Sequence, residues 1–153
     1  MRNPTLPTIL AACLSLSACG TNPVTGEKEL QLISESQEIR IGQQNYAPTR
    51  QSQGGDLTVL PELSTYVNEV GQRLAKQSHR PNLQWHFTVV DSPDVNAFAL
   101  PGGYVYITRG IMAYLNSEAE LAAVLGHEIG HVTARHSVRQ QAGATAAGVG
   151  AMV

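Results

Sequence analysis

The stretch LGHEIGHVTARH, residues 125–136, constrains the fold of this chain more than any other segment. His127 and His131 stand four residues apart, and Glu128 follows the first histidine. Four residues of an α-helix turn through about 400°, so the two imidazoles would share one face and could reach one metal ion. Histidine pairs at this spacing also occur as satisfied polar groups on ordinary helices, and the spacing alone leaves both interpretations open.

The sequence around this stretch predicts a helix that is at least partly buried. Ser117 and Glu120 have the spacing of a capping box, which predicts a helix from Glu118 to about Gln141. Burial of two histidines and a glutamate is costly without a partner, and a metal ion would supply that partner. The context therefore favours a metal site. The apolar residues that recur along the predicted helix are Leu121, Val124, Leu125, Ile129 and Val132.

The residue types fit a zinc site that hydrolyses peptide bonds. Neutral imidazoles bind Zn²⁺ at about 2.0–2.1 Å without cancelling its charge, and the ion then lowers the pKa of a coordinated water to about 7. The Glu128 carboxylate, about 100° around the helix from His127, would accept a proton from that water and pass it to the leaving amine. We therefore predict His127 and His131 as metal ligands and Glu128 as the catalytic base.

No other histidine has the position expected of a third ligand. His136 would lie about 180° around a continuous helix from the first histidine. The class with a third histidine six residues after the second would need it at position 137 and a glycine at position 134, where Ser137 and Ala134 stand. His79 and His86 lack a helical partner and are predicted to be solvent-facing or core residues.

The N-terminus has the pattern of an export signal. Arg2 precedes an apolar run over residues 9–18, which is far shorter than the ~20 residues of a membrane-spanning helix. The run closes on LSAC, residues 16–19, which resembles a bacterial lipobox. Residues 1–18 are therefore predicted to be a lipoprotein signal peptide, and Cys19 is predicted to carry lipid. The alternative is an ordinary secretory signal, with Cys19 as a bystander.

Composition agrees with this interpretation and excludes one class of partner. Once Cys13 leaves with the signal and Cys19 is lipidated, no cysteine remains for a disulfide. Gly20 after the lipidated cysteine implies the periplasmic face of the outer membrane of a Gram-negative bacterium. The net charge of −2, without any block of basic residues, argues against a nucleic-acid-binding surface.

The remaining patterns predict a mixture of helices and short strands, and hence an α+β fold. Residues 19–33 are interpreted as a lipidated N-terminus and tether that includes a Pro/Gly turn and a short strand. The tail, residues 142–153, would be either a closely packed helix or a flexible stub, and it holds no possible metal ligand. The other predicted elements are a helix from the capping box Ser34–Gln37 that Pro48 ends or bends, a helix over 61–78, a strand over 83–91, a hairpin of strands 97–100 and 104–108 around Pro101-Gly102-Gly103, and a short helix over 109–116.

Two long motifs together resemble a known family. HEIGHVTARH, with NAFALPGGYVYITRG about 30 residues upstream, is similar to the HtpX-like and CAAX-prenyl-protease-type zinc metallopeptidases, metallopeptidase family forty-eight. NPVTGEKELQLIS, residues 22–34, fits the periplasmic lipoprotein branch of that family. The resemblance extends from about Asn22 to Val149. It implies a zincin-like (gluzincin) fold, in which a small sheet with an edge strand packs on the H-E-x-x-H helix.

The resemblance also implies roles for individual residues. His127 and His131 match the family's zinc ligands, and Glu128 matches its catalytic glutamate. The segment that matches the strand beside the active-site helix would bind substrate backbone by strand addition, through Asn96, Ala97, Phe98 and Ala99. The plainer alternative for this segment is a hairpin that packs Phe98 and Leu100 inward.

The family's third zinc ligand is a glutamate on a later helix. One Zn²⁺ per chain is implied, and its third protein ligand is expected beyond residue 153. Residues 34–153 would then be the N-terminal part of the metallopeptidase domain, with its C-terminal half missing. We expect this piece alone to bind zinc weakly and to be nearly inactive.

Three functions compete on the sequence alone. The first is a zinc-dependent metalloendopeptidase that cleaves unfolded, misfolded or misassembled envelope proteins in quality control, anchored to the membrane by its N-terminal lipid. The second is a chaperone-like lipoprotein that binds client peptides at an exposed β edge without cutting them. The third is a structural envelope lipoprotein, which leaves the histidine and glutamate cluster unexplained.

Overall fold

The computed structural model describes residues 19–140, so the predicted signal peptide and the tail over 142–153 lie outside the described residues. The predicted mixed α+β class is confirmed. Within residues 19–140, no helix is both long and apolar enough to span a bilayer. The elements are β1 (Cys19–Thr21), β2 (Lys28–Leu30), α1 (Glu35–Ser52), α2 (Pro61–Ala75), β3 (His86–Val90), β4 (Ala97–Leu100), β5 (Tyr104–Thr108), α3 (Arg109–Met112) and α4 (Glu118–Thr133), and residues 136–140 are again helical.

A three-stranded sheet lies at the centre of the structure, in the order β3-β5-β4. β5 runs parallel to β3 and antiparallel to β4. Because β5 lies in the middle, β4 is an edge strand of this sheet. The predicted hairpin of β4 and β5 is confirmed, and its turn uses Gly102 and Gly103 at φ +84° and +102°. Such angles strain residues that carry a Cβ, which explains the two glycines after Pro101.

Local capping signals determine where the two longest helices begin. Ser34 accepts a hydrogen bond from the Gln37 backbone N–H and Gln37 bonds back to Ser34, which confirms the predicted capping box of α1. α1 does not end at Pro48 but continues to Ser52. Ser117 accepts from the Glu120 backbone N–H at 3.2 Å and so caps α4, the helix that carries the H-E-x-x-H residues.

The sheet separates two apolar clusters. The main cluster lies between the sheet, α2 and α4, and the smaller one lies between the sheet and α1. β5 serves both, because alternate residues of a strand face opposite sides: Val105 and Ile107 belong to the main cluster, and Tyr104 and Tyr106 to the smaller one. The main cluster contacts the buried face of α4, which fixes this helix against the sheet.

The end of α4 differs from the sequence prediction. A single helix from Glu118 to about Gln141 was expected, but α4 ends at Thr133, and Arg135 has φ +56° before helical structure resumes. A left-handed residue with a Cβ costs about 1–2 kcal/mol, so other contacts must favour it. The prediction of one continuous helix is therefore wrong at Arg135. The Arg135 guanidinium donates to the Glu38 carboxylate, the Gln31 side chain and the Ile33 carbonyl, all in the N-terminal part of the chain.

Candidate metal centre

α4 presents the three H-E-x-x-H residues at different depths. His127 is exposed, His131 is half-buried, and Glu128 is buried with 8% of its surface accessible. The opposite face of the helix packs into the main cluster, and one flank of the helix contacts the edge strand β4. The histidines are therefore held at the surface by a helix whose rotation is fixed by its core contacts. Those core residues, as predicted, include Leu121, Leu125, Ile129 and Val132.

The two histidine rings converge through their Nε2 atoms. His127 Nε2 and His131 Nε2 are 3.0 Å apart, and the rings meet edge to face with centroids 4.5 Å apart. Two nitrogen ligands of a tetrahedral zinc ion, each at about 2.0–2.1 Å, would be about 3.3–3.4 Å apart. The observed separation is close to this value, so the pair fits two positions of a zinc coordination shell with only a small adjustment.

The buried carboxylate lies beside the edge strand. Glu128 and His127 line a surface cavity of about 420 Å³ whose other wall includes Asn96 and Ala97. Two residues further along β4, on the same face, Ala99 lines a small cavity of about 10 Å³ together with His131. β4 therefore runs alongside the histidine pair, with Ala97 near the first histidine and Ala99 near the second.

The predicted substrate segment divides between the two faces of the sheet. Ala97 and Ala99 pack on the main cluster, on the side of α4. Phe98 stacks on Tyr106 with centroids 4.9 Å apart and, like Leu100, belongs to the smaller cluster on the side of α1. The Phe98 side chain therefore lies on the face of the sheet away from the histidine pair.

A third histidine lies closer than the sequence suggested. The prediction that His136 lies on the far side of α4 assumed an unbroken helix, and it is wrong because the helix breaks at Arg135. His131 Nδ1 is 2.7 Å from His136 Nδ1.

The other two histidines lie away from this pair in the sequence. His79 is exposed, whereas His86 is half-buried and stacks on Tyr104, and burial lowers the pKa of His86. In the part of the chain that the structure describes, no three His, Cys, Asp or Glu side chains form a group able to hold a metal.

The N-terminal hairpin borders the same surface. The turn between β1 and β2 lines a second cavity, of about 410 Å³, together with His127, His131 and His136. Asn22 shapes this turn, because its buried side chain accepts hydrogen bonds from Val24 N at 2.8 Å and Thr25 N at 3.2 Å. Sequence reasoning predicted the turn from its Pro and Gly residues but not its position beside the histidines.

A buried ion network supports the end of α4. Glu38 is fully buried, and its two carboxylate oxygens contact Arg80 Nη1 at 2.7 Å and Arg135 Nε at 2.9 Å. Burial lowers the pKa of Arg80, but the hydrogen bonds and charges of Glu38 and Glu35 together more than offset it and leave that pKa raised. The sequence offered no signal for this network, since Glu38 lies in the first turn of a helix, where acidic residues are common at the surface.

Comparison with known proteins gives consistent matches. The model of the family described as "Peptidase family M48" matches residues 61–152 of this chain. A beta-barrel assembly-enhancing protease of Escherichia coli (strain K12) is 34% identical over 136 residues, which cover 86% of this chain and 28% of that protein. A mitochondrial metalloendopeptidase OMA1 of Schizosaccharomyces pombe is 36% identical over 121 residues, which cover 77% of this chain and 35% of that protein. The chain thus spans about a third or less of the length of these curated relatives.

Proposed function

This chain belongs to peptidase family M48, and from this premise we propose that it carries the catalytic helix of a zinc-dependent metalloendopeptidase with a zincin-like fold. The observation that carries the proposal is the pair of Nε2 atoms 3.0 Å apart with a buried glutamate beside them. This arrangement suits a metal site better than a structural one. A helix without such a role would gain stability from an apolar residue at the buried position 128.

Each residue of the H-E-x-x-H motif has a distinct task in this proposal. His127 and His131 hold the ion through their Nε2 lone pairs. When bound, Zn²⁺ makes water nucleophilic at neutral pH and polarises the substrate carbonyl. Glu128 takes the proton from the attacking water and returns it to the leaving amine. Catalytic zinc sites use three protein ligands, and we propose that the third is a glutamate from beyond residue 153.

The edge strand β4 is the proposed binding surface for substrate backbone. Among the described residues, β4 pairs only with β5, so its other edge is open to an added strand. A substrate extended along this edge from Asn96 to Ala99 would pass both histidines, because β4 runs beside them. The cavity of about 420 Å³ beside Glu128 would receive one substrate side chain.

Strand addition predicts an alternating pattern in a peptide series. The parent peptide has about ten residues and is taken from a site at which the full-length protein cleaves an unfolded protein. Each member of the series carries one N-methylated backbone amide, at a different position. Methylation at alternate residues should lower kcat/KM about tenfold, since only every second N–H faces β4 and each lost bond costs about 1–2 kcal/mol. Chelator should abolish cleavage of the parent peptide. Failure to cleave any unfolded protein contradicts the activity, and losses without alternation contradict strand addition alone.

Unfolded and misassembled envelope proteins are the proposed substrates. One relative's name describes a protease that enhances β-barrel assembly, and recognition of backbone at a strand edge suits unfolded chains of many sequences. We propose that lipid on Cys19 anchors the chain to the periplasmic face of the outer membrane. Asn22, which lines the cavity beside the histidines, comes only three positions after Cys19 in the sequence. Such a span is at most about 11 Å, so the anchor would hold the site close to the membrane surface.

A further inference from the structure

His131 makes a close contact through each of its ring nitrogens. Its Nε2 atom faces His127 Nε2 at 3.0 Å, and its Nδ1 atom faces His136 Nδ1 at 2.7 Å. The two nitrogens of an imidazole ring point away from each other, so a metal at Nε2 leaves the contact at Nδ1 in place. His136 is thus suited to act on the metal ligand and not on the metal.

The backbone break at Arg135 creates this contact. In a continuous helix, residues five apart are about 140° apart around the axis and do not face each other. The left-handed conformation of Arg135 turns the chain after α4 and brings the His136 ring to within 5.0 Å of the His131 ring, centroid to centroid. Glu38 holds Arg135 in this position at 2.9 Å, and Gln31 holds it at 2.7 Å.

We propose that His136 is a positioning residue that fixes the tautomer and the orientation of His131, an inference that rests on the proposed zinc site. A neutral imidazole carries one ring proton. If His131 donates Nδ1–H to the Nδ1 lone pair of His136, its other nitrogen, Nε2, keeps the lone pair that binds the metal. Metal-binding histidines usually donate their second N–H in this way, and loss of the acceptor typically weakens metal binding 10–100-fold.

Two substitutions separate this role from a purely structural one. His136→Asn keeps an acceptor, because its Oδ1 is attached at the same position as Nδ1 of histidine. His136→Leu removes the acceptor but keeps a side chain of moderate size. The exposed His79 is the matched control, since His79→Leu also removes one histidine from the protein.

The test measures zinc affinity by chelator competition in the full-length protein, together with the visible spectrum of the Co²⁺-substituted form. We expect His136→Leu to bind zinc 10–100-fold more weakly and to change the Co²⁺ bands, while His136→Asn stays within about threefold of wild type and His79→Leu is unchanged. Wild-type affinity in His136→Leu, or equal losses in the Leu and Asn variants, would overturn the positioning role. A wild-type protein that binds no zinc would instead overturn the proposed function itself.

Discussion

Replacing Glu128 with glutamine is expected to reduce kcat for cleavage of an unfolded protein by about 10²–10⁴-fold, the usual contribution of a general base. The amide has nearly the same shape as the carboxylate, so it fills the same buried position next to β4. It cannot accept a proton from water at neutral pH. Binding of zinc and of substrate should therefore persist while turnover is lost.

The control for this experiment is a second glutamate on the same helix. Glu120 lies one turn after the N-cap, and its carboxylate accepts a hydrogen bond from Asn116 N at 2.6 Å. Glutamine can accept the same bond, so Glu120→Gln should retain wild-type activity. Zinc content and KM are measured for both variants. A Glu128→Gln protein within about threefold of wild-type kcat would exclude Glu128 as the base.

Replacing Glu38 with leucine is expected to lower the free energy of unfolding by about 3–5 kcal/mol, because it leaves the buried Arg135 guanidinium without its counter-charge and leaves Arg80 with only the exposed Glu35. Glu38 is fully buried between Arg80 and Arg135, and its carboxylate also accepts from Gly102 N at 3.3 Å. The carboxylate thus links α1, the segment after α2, the β4–β5 turn and the end of α4. Its loss should loosen the part of the fold that supports the histidines.

A neighbouring glutamate provides the comparison for this variant. Glu35 also contacts Arg80, at 3.0 Å, but 63% of its side chain is exposed to solvent. Glu35→Gln should therefore cost less than about 1 kcal/mol. Urea denaturation of the metal-free full-length proteins measures both losses without a contribution from zinc binding. Equal, small losses in the two variants would show that the buried network does not hold this region together.

Features determined by neighbouring residues could be predicted from the sequence. The caps at Ser34 and Ser117 and the glycine turn of the hairpin each depend on contacts within a few residues. The assignment of His127, Glu128 and His131 to one helix was equally local, since 3.6 residues per turn bring these side chains together in any helix.

Features determined by distant residues could not be predicted. The break after α4 depends on Arg135, whose three partners lie 97 to 104 residues earlier in the chain. Helical periodicity alone therefore favoured an unbroken helix and gave the wrong position for His136. The parallel pairing of β3 with β5 and the position of the Asn22 turn beside the histidines likewise depend on tertiary contacts that no local pattern reports.

The zinc content of the full-length protein, purified without chelators and measured by mass spectrometry of the metal, tests the central claim most directly. A site built on two histidines of α4 predicts one zinc per chain in the wild type and almost none when both His127 and His131 are replaced with alanine. The His79→Ala protein should keep the wild-type content, because His79 is exposed and has no part in the site. A metal-free wild type, or an unchanged zinc content after loss of both histidines, would contradict the account.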